Sequence, residues 1–128
     1  PSVTMANGLA YDAAHNAVVA SMDLHPVSTL AIVDINDPSH IRTVNLGLFG
    51  LFGFPDDLTI GPDGLIYLAM DGGDIVRIDP DRHAACILAS GMFGSTSVRF
   101  GAGTGWDPQA LYSTDLFGTV RKLTPTAG

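Results

Sequence analysis

The sequence contains no glutamate, so all 13 of its acidic residues are aspartates. Asp suits turns and metal sites, whereas Glu suits helices. No long 3.6-residue apolar period is present, so the absence of Glu goes together with an absence of helix signals. Cys86 is the single cysteine, which excludes an internal disulfide and a cysteine-based zinc site and leaves it as a small apolar residue. Charged residues make up only 15% of the chain, against roughly 25% in ordinary soluble domains. A surface with so few charges points to a partner. Basic residues number 6, giving a net charge of −7. That balance argues against nucleic acid and anionic membranes as partners, since both need basic patches. No apolar run approaches the ~18 residues of a membrane span. Pro1 is not a natural first residue, so the natural start is expected to lie elsewhere, and cytoplasmic and periplasmic or secreted locations both stay open.

What is present is a repeat. The chain is 46% apolar, and 15 Gly and 8 Pro punctuate short runs of strand-forming residues. The first set comprises Gly8 to Asp12, Ala17 to Asp23, Ser28 to Asp34 and Ile41 to Val44. The second comprises Asp57 to Gly61, Leu65 to Asp71, Asp74 to Asp79 and Ala85 to Leu88. The third comprises Ser97 to Gly101, Ala110 to Asp115 and Gly118 to Leu123. Equivalent positions lie 49 residues apart from Asn7 to Asp56 and 40 apart from Asp56 to Thr96. Four antiparallel strands per unit at this period predict an all-β fold of propeller blades, over about 6–46, 55–90 and 95–124. In each unit the second run ends in Asp, at Asp23, Asp71 and Asp115. A closed propeller has about 4–8 blades, and three alone would leave an inner flank uncovered and an edge unpaired. The expectation is a partial propeller completed by a second polypeptide or by a second copy of this chain.

Inner strands of a propeller run parallel around a central axis, so residues just before them converge at one mouth. Here these are Asn7, Asp56 and Thr96, followed by Gly8, Asp57 and Ser97. Asn-Gly and Asp-Asp are each ordinary turn dipeptides. Their equivalent repeat positions instead suggest a hard-oxygen site for Ca²⁺, Mg²⁺, Mn²⁺ or oxygen-bound Zn²⁺. Two carboxylates held together in a partly dry channel need a cation or a proton. Loops between second and third strands should rim the same mouth, bringing Asp23, His25, Asp71 and Asp115 there. Asp71 and Asp115 are read as structural caps. Asp23 and His25, with Thr96 and Ser97, are read as substrate contacts. "PDG" at 62–64 is a plain turn and "DGG" at 71–73 a tight connection. His15, His40 and His83 sit in turn contexts and are expected to be solvated. In "LGLFGLFGF" at 46–54, Leu48, Phe49, Leu51 and Phe52 are expected to pack between blades rather than to wall the channel. Ser95, Ser97 and Ser113 lack the Gly-x-Ser-x-Gly context of a serine nucleophile.

Three segments together resemble the gluconolactonase/regucalcin (senescence marker protein) family of six-bladed propellers. They are "ANGLAYD" at 6–12, "FPDDLTIGPDGLIYLAMDGGDIVRIDP" at 54–80 and "STSVRFGAGTGWDPQALYSTD" at 95–115. The resemblance implies the C-terminal half of such a propeller, with the N-terminal blades supplied from elsewhere. It implies that Asn7 and Asp56 are two ligands of one divalent cation, Ca²⁺ foremost. It implies that Asp56 acts as acid and base, with Asp57 touching the metal or its water, and either Asp56 or Asp57 is expected to take the proton from water as catalytic residue. The family's remaining metal carboxylate, a Glu, and its main sugar contacts lie in the half not represented here. The implied activity is metal-dependent hydrolysis of a lactone or related ester, with a lactone or sugar acid as ligand. The rival readings are a non-catalytic propeller module binding a partner or sugar, and a self-associating half-propeller.

Overall fold

Each of the three sequence units forms one antiparallel sheet in the computed structural model, which describes residues 2–23, 29–46 and 53–126. The first sheet holds β1 (Ala6–Asp12), β2 (Ala17–Met22), β3 (Leu30–Asp34) and β4 (Ile41–Val44) in sequential order. The second holds β5 (Pro55–Ile60), β6 (Ile66–Met70), β7 (Ile75–Asp79) and β8 (Ala84–Ala89), again in order. The third holds β9 (Ser95–Phe100), β10 (Leu111–Asp115) and β11 (Val120–Leu123). β5 packs beside both β1 and β9, so the first strands of the units line up as an inner row. This is the partial propeller that the repeat predicts: three blades, the third with three strands among the described residues.

Turn chemistry separates the strands. At "PDG" the Asp63 carboxylate accepts the Leu65 N–H and the Tyr67 hydroxyl while Gly64 takes a left-handed φ of 78°. At the first hairpin Asp12 accepts the backbone N–H groups of Ala14 and His15.

The core lies between blades, as it must when a sheet buries both faces against its neighbours. Ile66, Leu68 and Met70 of β6 join Val19, Leu30, Ile32 and Leu58 in a cluster shared by the first two blades. Tyr67 and Ala69, on the opposite face of the same strand, join Val98 and Leu111 in a cluster shared by the second and third. The Tyr67 ring meets Phe100 edge to face at 4.9 Å. All five residues of β6 are therefore buried, while β8 at the rim is exposed over nearly its whole length. Each large side chain buried this way contributes about 1.5–3 kcal/mol, so the inter-blade seams carry most of the stability.

The inner strands begin two residues earlier than the sequence suggests. Asn7, Asp56 and Thr96 lie inside β1, β5 and β9, not before them. The reason is a bulge repeated in every blade. Pairing steps from Ala6–Met22 to Leu9–Ala20 in the first blade and from Pro55–Met70 to Leu58–Leu68 in the second. It steps from Ser95–Asp115 to Ser97–Thr114 in the third. Extra residues on the inner strand kink it and re-aim its side chains. Asn7-Gly8, Asp56-Asp57 and Thr96 are those residues.

Candidate functional site

At the bulges, the first two blades are joined through their backbones. A Cβ on Gly8 would stand 2.6 Å from Asp57 Cα and 2.8 Å from the Asp56 carbonyl oxygen, so only glycine allows this approach. The buried Ser21 hydroxyl closes the joint, accepting the Gly8 N–H at 2.8 Å and donating to the Asp56 carbonyl. Asn7 and Asp56 are thus brought to the same level of neighbouring inner strands. The Asn7 side chain is exposed, and no hydrogen bond to it is formed among the described residues.

Asp56 and Asp57 have separate fates. One Asp57 carboxylate oxygen accepts the Leu58 N–H at 2.8 Å. The other accepts the Ser97 hydroxyl at 2.7 Å and pairs with Arg99 at 2.9 Å. Arg99 also donates to the Leu58 carbonyl. Asp57 therefore links the second blade to the third. Asp56 has no cationic partner among the described residues. Its carboxyl is pushed up to about 6, first by burial, then by the charge of Asp71 and a hydrogen bond shared with it, with Asp57 and Asp23 adding to the effect. Asp23 is also raised, by burial and by Asp71. One carboxylate oxygen of Asp23 and one of Asp71 are buried with no hydrogen-bond partner among the described residues. Buried lone pairs left this way are costly unless a proton or cation meets them.

Asp71 is thus not a cap, as the sequence suggested, but a member of the acidic group around Asp56. The repeated Asp at the end of each second strand also needs correcting. The Asp23 N–H donates to the Met5 carbonyl, the Asp71 N–H to that of Phe54, and the Leu116 N–H to that of Gly94, each at 3.0 Å. The equivalent of Asp23 and Asp71 in the third blade is therefore Leu116. Asp115 stands one place earlier, in register with Met22 and Met70. It does cap: one oxygen accepts the N–H groups of Phe117 and Thr119, and the other pairs with Arg121. The Thr119 N–H, then Arg121, hold its carboxyl below the usual range.

Of the remaining predicted residues, Ser97 is engaged with Asp57, and Thr96 makes long contacts of 3.4–3.5 Å with Thr114. His25 lies outside the described residues, as do Leu48, Phe49, Leu51 and Phe52. His15 is not simply solvated: Nδ1 meets Asp12 at 2.7 Å and Nε2 meets Asp81 at 2.9 Å, clasping the first blade to the second. Sequence reasoning gave no site role to Ser21 or Arg99. An alternation argument could have placed Arg99 on the face of Ser97, two residues away.

Among the described residues, no three His, Cys or Asp side chains converge in a geometry that would hold a metal. The donor chemistry nevertheless fits a hard cation in part. Asp56 and Asp71 face each other, one buried carboxylate oxygen each of Asp23 and Asp71 lacks a partner among the described residues, and Asn7 lies on the neighbouring inner strand.

Comparison with known proteins agrees with the architecture. The strictosidine synthase-like, N-terminal family matches residues 50–78. Virginiamycin B lyase from Staphylococcus aureus superimposes with a TM-score of 0.63 at 12% identity, over 96% of this chain and 42% of that one. Luciferin-regenerating enzyme does so with a TM-score of 0.62 at 23% identity, over 86% and 37%. A gluconolactonase from Xanthomonas campestris does so with a TM-score of 0.63 at 15% identity, over 86% and 34%. The chain has the fold of a stretch of these β-propellers and spans roughly two fifths of their length or less. No curated protein matches its sequence.

Proposed function

We propose that these blades carry part of the active site of a divalent-cation-dependent hydrolase of lactones or related esters. The observation that supports this reading most is Asp56, a carboxyl raised to about 6 among other carboxyls at the bulged inner strands. Likeness to gluconolactonase in fold and in the quoted motifs points the same way. Asn7 and Asp56 would hold the cation, Ca²⁺ foremost with Zn²⁺, Mg²⁺ or Mn²⁺ as alternatives, and the unpartnered oxygens of Asp23 and Asp71 would supplement them. Such a cation, when bound, supplies Lewis-acid polarisation of the carbonyl and a lower pKa for the attacking water.

The work of this chain's own residues is proton transfer and positioning. Asp56 takes a proton from water as the water oxygen adds to the carbonyl carbon. The ring carbon–oxygen bond then breaks, the proton passes to the ring oxygen, and a hydroxy acid leaves. Asp57, committed to Ser97 and Arg99, holds the Asp56 peptide in place rather than exchanging protons. Blades from a second polypeptide or a second copy would complete the ring; a stable monomer of 13.3 kDa in solution would argue against the second copy.

The test is acid release from a lactone by the protein with its ring completed, with and without chelator. Asp56→Ala should lower the rate by about 10²–10⁴-fold and weaken calorimetric Ca²⁺ binding. Turnover untouched by that substitution would sink the assignment. Cation binding without turnover of any lactone would select the rival reading, a non-catalytic module.

A further inference from the structure

The three rungs at the mouth share one unusual backbone state. Met5, Phe54 and Gly94, whose carbonyls accept from Asp23, Asp71 and Leu116, all have left-handed φ values of 54°, 53° and 76°. Glycine adopts this region freely, whereas a bulky side chain is strained there. Two of the three blades keep a large apolar residue at the strained position. Both side chains are exposed, Met5 at 57% and Phe54 at 42%. The third blade has glycine there, and its apolar groups stand on either side: Phe93, Leu116 and Phe117 are each about 70% exposed. The rings of Phe93 and Phe117 stack at 6.4 Å.

This apolar set adjoins the acidic one. The Gly94 N–H donates to the Asp71 carbonyl at 2.8 Å, and the Gly94 carbonyl accepts the Leu116 N–H. Leu116, itself at the rung position that bears Asp in the other two blades, is therefore two backbone hydrogen bonds from Asp71. The patch is also separate from the flat face of the third blade, which is lined by Ser97, Trp106, Tyr112 and Val120. It belongs to the mouth.

We propose that Phe93, Leu116 and Phe117 form a substrate subsite, and that the substrate is a lactone or ester carrying an apolar alkyl or aryl substituent. This rests on the hydrolytic reading of Asp56. A polyhydroxylated lactone needs a hydrogen-bond partner for each hydroxyl it buries, and this sector of the rim presents hydrocarbon instead. An alkyl chain laid across the stacked rings loses its contact with water, and the backbone link from Gly94 to Asp71 sets its head toward the acidic group that contains Asp56. Leu116 at the rung removes the third carboxylate from the side where the chain lies.

The experiment compares δ-valerolactone, δ-octalactone, δ-decalactone and glucono-δ-lactone as substrates of the protein with its ring completed. In parallel, equilibrium binding of 2-pentyltetrahydropyran is measured as a probe that cannot be hydrolysed. kcat/KM should rise by about two- to fourfold per added methylene and exceed that for glucono-δ-lactone. Phe93→Ser/Phe117→Ser should cut the decalactone-to-valerolactone ratio about tenfold or more and weaken binding of the ether. Both side chains are largely exposed, so this variant keeps the fold. Turnover that ignores chain length or prefers glucono-δ-lactone overturns the subsite and leaves the hydrolase reading standing. Inert lactones with ether binding that falls in the variant overturn the hydrolase reading and leave an apolar subsite. Inert lactones with no ether binding overturn both.

Discussion

Asp71 and Asp115 look alike in sequence, each closing a second strand and each leading into a glycine-containing turn, yet they do opposite things. Asp115 faces its own turn, accepts two backbone N–H groups and pairs with Arg121. Asp71 is one register further on, has a buried oxygen with no partner among the described residues and faces Asp56. The first stabilises its blade. The second raises a neighbour's proton affinity and has a defined value only alongside something positive. One place in register separates a carboxylate that caps its own turn from one that faces another carboxyl, because successive strand residues point to opposite faces.

The largest effect should come from disturbing what holds the first two blades at their common level. Gly8→Ala forces a methyl group into Asp57 Cα and the Asp56 carbonyl, backbone atoms that cannot yield cheaply. We expect a loss of about 1–3 kcal/mol or more, read by chemical denaturation, together with loss of cation binding as Asn7 and Asp56 move apart. Next, Asp115→Asn should lower the melting temperature by removing a paired cap, whereas Asp71→Asn should raise it or leave it unchanged at neutral pH. The direct readout of the latter is a lower Asp56 pKa by carboxyl-carbon NMR. Equal effects of the two substitutions would erase the distinction between them.

Smaller again is the pH response of the cation-free protein. Asp56 titrates higher in the folded state than in the unfolded chain, near 6 against an ordinary 3.8. The folded state therefore binds the extra proton, and its contribution to stability is present below about 4 and lost as pH rises through about 6. Saturating Ca²⁺ should flatten that slope in denaturation curves taken between those limits. The smallest effect is expected at His15. Its pKa is raised, chiefly by its hydrogen bond to Asp12. The stability it contributes is full below its ordinary 6.5 and is lost as pH rises through the raised value. His15→Gln should remove that step from the stability profile without touching the acidic mouth.

Much of the architecture was legible because strand alternation and turn residues are local signals. "PDG" at 62–64 makes the turn its composition demands, and the run Leu65 to Asp71 reads as the strand that the structure places at Ile66–Met70. The bulges were not legible, since Asn7-Gly8 and Asp56-Asp57 are polar and give an apolar alternation nothing to skip. That is why the inner strands seemed to start after them. Asp115 misled because identity of residue type stood in for register, which only the backbone hydrogen bonds to Phe54 and Gly94 fix. Asp71 was hidden by Gly72-Gly73, whose turn signal accounts for an Asp without needing a partner. For Asp56 the sequence pattern pointed to a carboxyl that the fold partly buries beside Asp71, and both effects raise its proton affinity.

The burial of β6 on both faces carries a consequence for how such a repeat drifts. A strand wedged between neighbouring blades must satisfy both of them, whereas a rim strand meets little besides its hairpin partner. Residues Ile66–Met70 are constrained from both sides at every position, so they have little room for exchange, whereas Ala84–Ala89 on the rim are nearly unconstrained. Tolerance to exchange is then graded along the radius of the blade, least at its second strand and greatest at its rim, where new surface can be acquired at small cost.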